Sequence, residues 1–199
     1  MTPCPASLAD VLQRTHERQL VLKERLESDF AGHGHYVLEI GCGHGHWLAG
    51  YAAAYPDDYC IGIDLMSRRI EKTLRKKTKQ GLNNLRAYKA EANEFLDCLP
   101  PGVSFERVFI MYPDPWPKQR HHRRRLLQST FLSRLAEYTL PGAQLYFRTD
   151  QQPYFEWACR RLRAHSDWQM EASLPWPYEQ ETFFQKILPQ HVSFAAIRL

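Results

Sequence analysis

Hydrophobic and polar positions along the 199-residue chain change period near residue 36. Before it, residues 7–28, SLADVLQRTHERQLVLKERLES, set Leu8, Val11, Leu12, Leu20 and Leu26 among charges. That spacing predicts an amphipathic helix with Ser7 as its N-cap. GHGH at 32–35 breaks it. Beyond, short apolar runs alternate with helical stretches. YVLEI (36–40), YCIGI (59–63), NLRAYK (84–89), SFERVFIMY (104–112) and QLYFRT (144–149) read as strands, and WQMEA (168–172) and HVSFAAIRL (191–199) add two more. Helices are predicted over 45–56, ended by Pro56, over 67–80, closed by Gly81, and over 92–98, about 122–139, and 154–165. PWPYEQETFFQK (175–186) reads as a loop leading to a helical turn. Strands alternating with helices imply an α/β fold, a mostly parallel sheet with helices on both faces. The expected organisation is one domain over 1–199, with a helical extension over 1–35 and a core over 36–199.

Composition narrows the class. Hydrophobic residues make up 44% and charged residues 24%, which suits a soluble globular chain. The sequence has no apolar run of the roughly 18 residues that span a bilayer, and the N-terminus lacks the apolar core of a signal peptide. The chain reads as cytoplasmic. Five scattered cysteines, Cys4, Cys42, Cys60, Cys98 and Cys159, form no C-x-x-C, which argues for reduced thiols. Cys42 and Cys60 fall in apolar surroundings and are expected to be buried.

The net charge of +4 hides an asymmetry. RRIEKTLRKKTK (68–79) carries seven Lys/Arg and one acid, and KQRHHRRR (118–125) carries five Lys/Arg and no acid. Outside these runs, 14 basic residues face 21 acidic ones. If the runs share a face, they form a patch fit for a polyanion. Otherwise they are two solvated faces.

Candidate chemistry lies at strand ends. VLEIGCGHGHW places Gly41, Gly43 and Gly45 between a strand and a helix, where glycine permits a tight turn and close approach to a ligand. The spacing is G-x-G-x-G rather than G-x-G-x-x-G, so no diphosphate need be cradled. Glu39 precedes the turn, Asp64 ends the next strand where ribose hydroxyls are received in nucleotide-binding α/β folds, and Glu91 follows the third. An acid for a cationic end, an acid for a diol and an acid for an adenine amine together fit S-adenosylmethionine. The fourth strand ends in YPDPWP. Three prolines restrict the backbone around Asp114, whose carboxylate suits the N1–H and N2 amine of guanine. Lys118 and the arginines beyond it, Arg123, Arg124 and Arg125, suit phosphates. Asp150, at the end of the fifth strand, could complete an acidic pocket with Asp114 or be the N-cap of a helix over 152–164.

These segments resemble the bacterial tRNA (guanine-N7)-methyltransferases. VLEIGCGHGHW is similar to the family's E-I-G-x-G-x-G turn, YPDPWPKQRHHRRRL to its highly specific P-D-P-W-x-K-x-R-H signature, FRTDQQPYFEWA to its T-D-x-x-x-Y-x-E segment, and ETFFQK to its T-x-[FY]-E motif. The likeness runs from about residue 36 to 199, behind a short N-terminal arm. It implies a Rossmann-like class I methyltransferase with a seven-stranded sheet and an antiparallel C-terminal strand. It implies methyl transfer to a tRNA guanosine, usually position 46 of the variable loop. The chain is expected to act as a monomer or homodimer, without metal or membrane. Glu39, Asp64, Glu91 and Asp114 match the S-adenosylmethionine contacts, and Asp114 also matches the catalytic position. Lys118, Asp150, Thr182 and Gln185 match the substrate contacts. Three positions depart from the family: Asp64 replaces a more common Glu, Glu91 an Asp, and Gln185 a Glu. The last exchange loses a charge and adds two donors.

Three other readings compete. The H-x-H pairs His33/His35 and His44/His46, with His121 and His122, could ligate Zn²⁺ or Ni²⁺, although no carboxylate or cysteine stands at ligand spacing. The chain could be an RNA-binding module with a remnant cleft, which the exchange at Gln185 favours. PDPW also shares features with the [DN]-P-P-[YFW] motif of methyltransferases acting on amines.

Overall fold

The computed structural model describes residues 7–30, 36–180 and 190–199. Its elements are α1 (Leu8–Asp29), β1 (Tyr36–Ile40), α2 (His46–Ala54), β2 (Tyr59–Asp64), α3 (Ser67–Gln80), β3 (Leu85–Lys89), α4 (Ala92–Asp97), β4 (Phe105–Met111), a 3₁₀ turn (Gln119–Arg124), α5 (Ser129–Glu137), β5 (Thr139–Thr149), α6 (Gln152–Arg163), β6 (Trp168–Met170) and β7 (Val192–Arg198). The strands form one seven-stranded sheet of order β3-β2-β1-β4-β5-β7-β6. β1 pairs in parallel with β2 and β4, β2 with β3, and β4 with β5. β7 runs antiparallel to both β5 and β6. This is the expected α/β architecture, reversed strand included.

All five residues of β1 and all six of β2 are buried. They are covered on both faces, which explains their continuous apolar runs. One face packs Leu38, Ile40, Val108, Ile110 and Phe147 against α1, α4, α5 and α6, around Phe95, Leu132, Tyr154 and Leu162. The other packs Val37, Phe109 and Tyr146 against α2 and α3, around Trp47, Leu48 and Ile70. Each such side chain contributes about 1.5–3 kcal/mol on burial. Cys42, Cys60, Cys98 and Cys159 are buried free thiols.

Two boundaries differ from the sequence pattern. The helix expected over 122–139 is divided. The 3₁₀ turn ends at an extended Arg125 (ψ 138°), and Gln128 Nε2 donates to the carbonyls of His122 and Arg125. Only from Ser129 does the α-helix run. Side-chain bonding to the backbone has displaced one helical turn. The fifth strand begins at Thr139 rather than 144, because Thr139 pairs with Phe105 before a register shift.

α1 carries the expected Ser7 cap, reinforced by a reciprocal bond from the Ser7 backbone N–H to Asp10. Leu22, Leu26 and Phe30 dock it, whereas Leu12 and Leu20 stay exposed. A polar knot secures the docking. Arg86 Nε donates to Asp29 Oδ1 at 2.8 Å and Tyr88 OH to Oδ2 at 2.7 Å, while Tyr59 OH donates to the Asp29 carbonyl. Burial alone would raise the Asp29 pKa. The bonds from Arg86 and Tyr88 outweigh it and hold the carboxyl below its ordinary value. Asp29→Ala leaves the buried Tyr88 hydroxyl without its acceptor, so we expect a loss of about 2–3 kcal/mol in urea unfolding at neutral pH. The difference from the parent should shrink as pH falls below the ordinary carboxylate range.

Candidate active site

Parallel strands send their following loops to one edge, and the strand order reverses between β1 and β4, the crevice where such sheets bind ligands. Glu39 lies in β1, in register with Gly62 on β2 and Phe109 on β4. It is 4% exposed. Its Oε2 is buried and has no hydrogen-bond partner among the described residues. Burial, then the nearby Asp64 charge, pushes its pKa up to about 8.

The glycine turn follows. Gly41, Gly43 and Gly45 all have positive φ, at 80°, 56° and 63°, a region that L side chains rarely adopt. The backbone N–H groups of Gly41 and Cys42 donate to the Ile63 carbonyl, and that of Gly43 donates to Asp64 Oδ2 at 3.1 Å. Asp64 Oδ1 also accepts from Met66 N at 2.8 Å, and Oδ2 from Arg69 at 3.2 Å. Asp64 is therefore the strut that ties the turn to β2. A Cβ at Gly41 or Gly43 would meet nothing within 4 Å. That open cradle, beside a buried carboxylate oxygen with no partner, fits a ligand with a cationic end. Cys42 is no nucleophile here: burial, with Glu39 and Asp64 nearby, drives its thiol pKa well up.

Glu91 has a local role. It caps α4, its Oε2 accepting from the backbone of Asn93 and Glu94, and its Oε1 accepts from the Asn93 amide.

The PDPW loop leaves β4 under strain. Tyr112 and Trp116 are the two non-glycine residues with positive φ among those described, at 50° and 42°. Such conformations persist only where surrounding bonds enforce them. Tyr112 N donates to the Arg148 carbonyl at 2.8 Å. At the other end Arg125 Nε donates to the Pro115 carbonyl at 2.9 Å, and Arg124 lies 4.9 Å from the Trp116 ring. Between these anchors Asp114 is exposed. Asp150, on the neighbouring strand end, accepts from Gln151 Nε2 at 2.5 Å. It does not cap α6, whose N-cap is Gln151 with no side-chain bond, so the helix-cap alternative is removed.

The two basic runs pack on opposite sides of the sheet. α3 packs with α2 on one side of the sheet, whereas the 3₁₀ turn leans on α6, whose Tyr154 and Trp157 belong to the other. Part of the first run supports the glycine turn: Lys76 Nζ donates to the His44 carbonyl and Arg69 to Asp64. In the second run, Lys118, Arg123 and Arg124 are exposed, but Arg125 is only 4% exposed. Its guanidinium sits 4.8 Å from the Tyr154 ring and 5.2 Å from Trp157. Arg125 therefore serves as a clamp on the loop. Arg160 and Arg161 are exposed on α6. Arg161 lies 5.3 Å from the ring of Trp157, the same ring that Arg125 covers. Thr182 and Gln185 lie outside the described residues.

Two other constellations lack the required chemistry. Ser133, His165 and Asp167 adjoin one another, but the Asp167 backbone N–H donates to His165 Nδ1 at 3.2 Å. That ring nitrogen is the acceptor, the wrong tautomer for a serine-activating base. His44 and His46 have ring centroids 6.3 Å apart. No group of three or more potential ligands suited to a metal occurs among the described residues; His33 and His35 lie outside them.

The sheet and its crevice are those of a class I methyltransferase. The aminoglycoside-resistance methyltransferase NpmB1 has this fold, with a TM-score of 0.62 at 19% identity over 89% of this chain and 93% of that one. The Methyltransf_4 family model, described as "Putative methyltransferase", matches residues 33–186. The tRNA (guanine-N(7)-)-methyltransferase of Caulobacter vibrioides (strain NA1000 / CB15N) is 40% identical over 127 residues, 64% of this chain and 56% of that protein. The protein of the same name from Jannaschia sp. (strain CCS1) is 34% identical over 168 residues, 79% of this chain and 70% of that protein. The chain thus spans a little over half the length of the first relative. It belongs to the tRNA (guanine-N7)-methyltransferase family.

Glu39 sets a pH signature. Folded, it keeps its proton up to about pH 8, whereas an unperturbed carboxyl loses it near 4.5. The stability that this proton confers is fully present below about pH 4.5 and is lost as pH rises to about 8. Glu39→Gln should flatten that slope by on the order of a few kcal/mol, measured by denaturant unfolding between pH 5 and 8.

Proposed function

We propose that this protein transfers a methyl group from S-adenosylmethionine to N7 of a guanosine in cytoplasmic tRNA, at position 46 of the variable loop. The carrying observation is Asp114, an exposed carboxylate at the ligand-binding edge, held between two strained residues and clamped by Arg125. The family supports the reaction, and the cradle of Gly41 and Gly43 with the partnerless oxygen of Glu39 supports the donor.

When bound, S-adenosylmethionine supplies an electrophilic methyl on a sulfonium. Glu39 would hold its ammonium. A cation there favours the ionised carboxylate, so Glu39 gives up its proton as the site fills. Asp64, whose oxygens already accept from Gly43, Met66 and Arg69, retains capacity for ribose hydroxyls, since a carboxylate has about four acceptor positions. Glu91, Gly41, Gly43 and Gly45 complete this side. Asp114 would accept from guanine N1–H and the N2 amine, turning N7 toward the cleft. Its charge opposes the positive charge that grows on the purine. Because N7 carries no proton, the chain needs no general base, and alignment does most of the work. Asp150, Thr182 and Gln185 would complete the guanosine pocket, with Lys118, Arg123 and Arg124 on the RNA backbone.

The test is incubation with isotope-labelled donor and unmodified tRNA, with the modified base mapped by mass spectrometry and a guanosine-46 substitution as control. We expect label on N7 of that guanosine. Asp114→Ala should lower kcat by about 10²-fold or more while leaving the fold and much of the cofactor binding, and near-parent turnover would remove Asp114 from its role.

The cations should separate by burial. Arg123→Ala combined with Lys118→Ala should weaken tRNA binding and reduce the salt slope by about one to two, with stability changed by no more than about 0.5 kcal/mol. Arg125→Ala should do the reverse. It should destabilise the fold by about 2 kcal/mol and leave the slope unchanged.

A further inference from the structure

Arg148 stands two residues before Asp150 in β5, in register with Met111 at the end of β4. It is 2% exposed. A guanidinium is costly to remove from water unless pairing and hydrogen bonds replace its hydration, so its surroundings should reveal a purpose.

They form a clamp. Nη1 donates to Glu179 Oε2 at 2.9 Å and Nη2 to Oε1 at 2.7 Å, the two-pronged geometry that fixes direction as well as distance. The guanidinium lies 3.8 Å from the centroid of Trp176. Trp176 in turn packs edge-on against Tyr146 at 5.4 Å and Phe109 at 6.0 Å. The rest of the strap, residues 174–180, is seated on α2. Trp47 Nε1 donates to the Tyr178 carbonyl, and Tyr55 OH to that of Pro177. Gly50 makes room for it, since a Cβ there would lie 1.7 Å from Gln180 Oε1. The strap continues into the segment that carries Thr182 and Gln185.

The backbone of Arg148 has a second task. Its carbonyl accepts from Tyr112 N, where the strained loop that carries Asp114 begins. One residue therefore touches the PDPW loop through its main chain and the strap through its side chain. A Met or Leu could pack on Trp176, but neither could orient Glu179.

We propose that Arg148 is a positioning residue that holds the PDPW loop and the 174–180 strap at one separation across the end of β5, and so sets how the RNA base is presented. The proposal rests on the guanosine reading above. Its effect falls on the RNA side of the reaction, because the contacts of Arg148 itself run to Glu179, Trp176 and Tyr112.

The experiment compares Arg148→Met, which keeps length and ring packing but removes the fork, with Arg148→Lys and with Glu179→Gln. The last acts from the solvent side, where the Glu179 side chain is 59% exposed, and so carries little risk to folding. The readouts are KM for tRNA, kcat, cofactor Kd by calorimetry, and hydrogen exchange of the strap amides. We expect Arg148→Met to raise KM for tRNA and lower kcat by about tenfold or more each, to leave cofactor Kd within about twofold, and to speed strap exchange. Glu179→Gln should shift the same quantities less, Arg148→Lys should recover part of the loss, and the Met/Gln double variant should be no worse than Arg148→Met, as members of one unit are. Parent-like KM and kcat in Arg148→Met and Glu179→Gln, or an equal loss of cofactor affinity, would overturn the inference alone. If Arg148→Met does not fold, Glu179→Gln decides by the same criteria. A parent protein that transfers no methyl group to tRNA guanine would overturn the functional reading. Strap exchange unchanged in both variants would then overturn the clamp as well.

Discussion

The bond from the Gly43 amide to the Asp64 carboxylate, 3.1 Å long, is the interaction on which the cleft depends. It joins the turn after β1 to the end of β2, and the parallel pairing of those strands is what brings the two within reach. The same carboxylate holds Met66 and Arg69 at the start of α3. Together with the Gly41 and Cys42 amides on the Ile63 carbonyl, that strut fixes three positive-φ glycines. They form an open cradle beside Glu39. The cost is electrostatic, because two acids share a water-poor crevice and Glu39 stays protonated well above its usual range. A cationic ligand removes that cost on binding, which couples affinity to the charge of the ligand.

The opposite side of the cleft is governed by strain. Tyr112 and Trp116 occupy conformations that side chains avoid, and arginines restrain both ends of the segment between them. Arg125 reaches back to Pro115 while covering two aromatic rings, and Arg148 holds Tyr112 through its carbonyl. These two buried cations are part of the scaffold, whereas Lys118, Arg123 and Arg124 are exposed. The charge of the basic turn thus divides by burial into structure and surface. Asp114 gains its fixed place from the first group and its location beside a basic surface from the second.

Much of this was legible in the sequence. Apart from the start of β5, strands recognised by apolar runs between glycines and prolines fell within a residue or two of their observed limits, because buried parallel strands need continuous apolar residues. The glycine turn, Glu39, Asp64 and the PDPW loop could be read because each is a local device whose residues adjoin in the chain. The divided helix over 119–137 was not legible. Its break depends on Gln128 reaching two carbonyls and on Arg125 finding rings from α6, and neither follows from periodicity.

By itself the sequence determined the order of elements, the glycines at the turn, and the acids that follow successive strands. These depend on backbone conformation and on hydrophobic pattern, which are properties of neighbouring residues. Only the tertiary structure decided which charges are free. Arg125 and Arg123 are equivalent in the run KQRHHRRR, yet one is enclosed by Tyr154 and Trp157 and the other meets solvent. Arg148 likewise reads as one more strand residue until folding brings Glu179 and Trp176 against it. Burial and pairing of a charge are set by groups distant in the chain, so its role could be assigned only once those groups had been brought together.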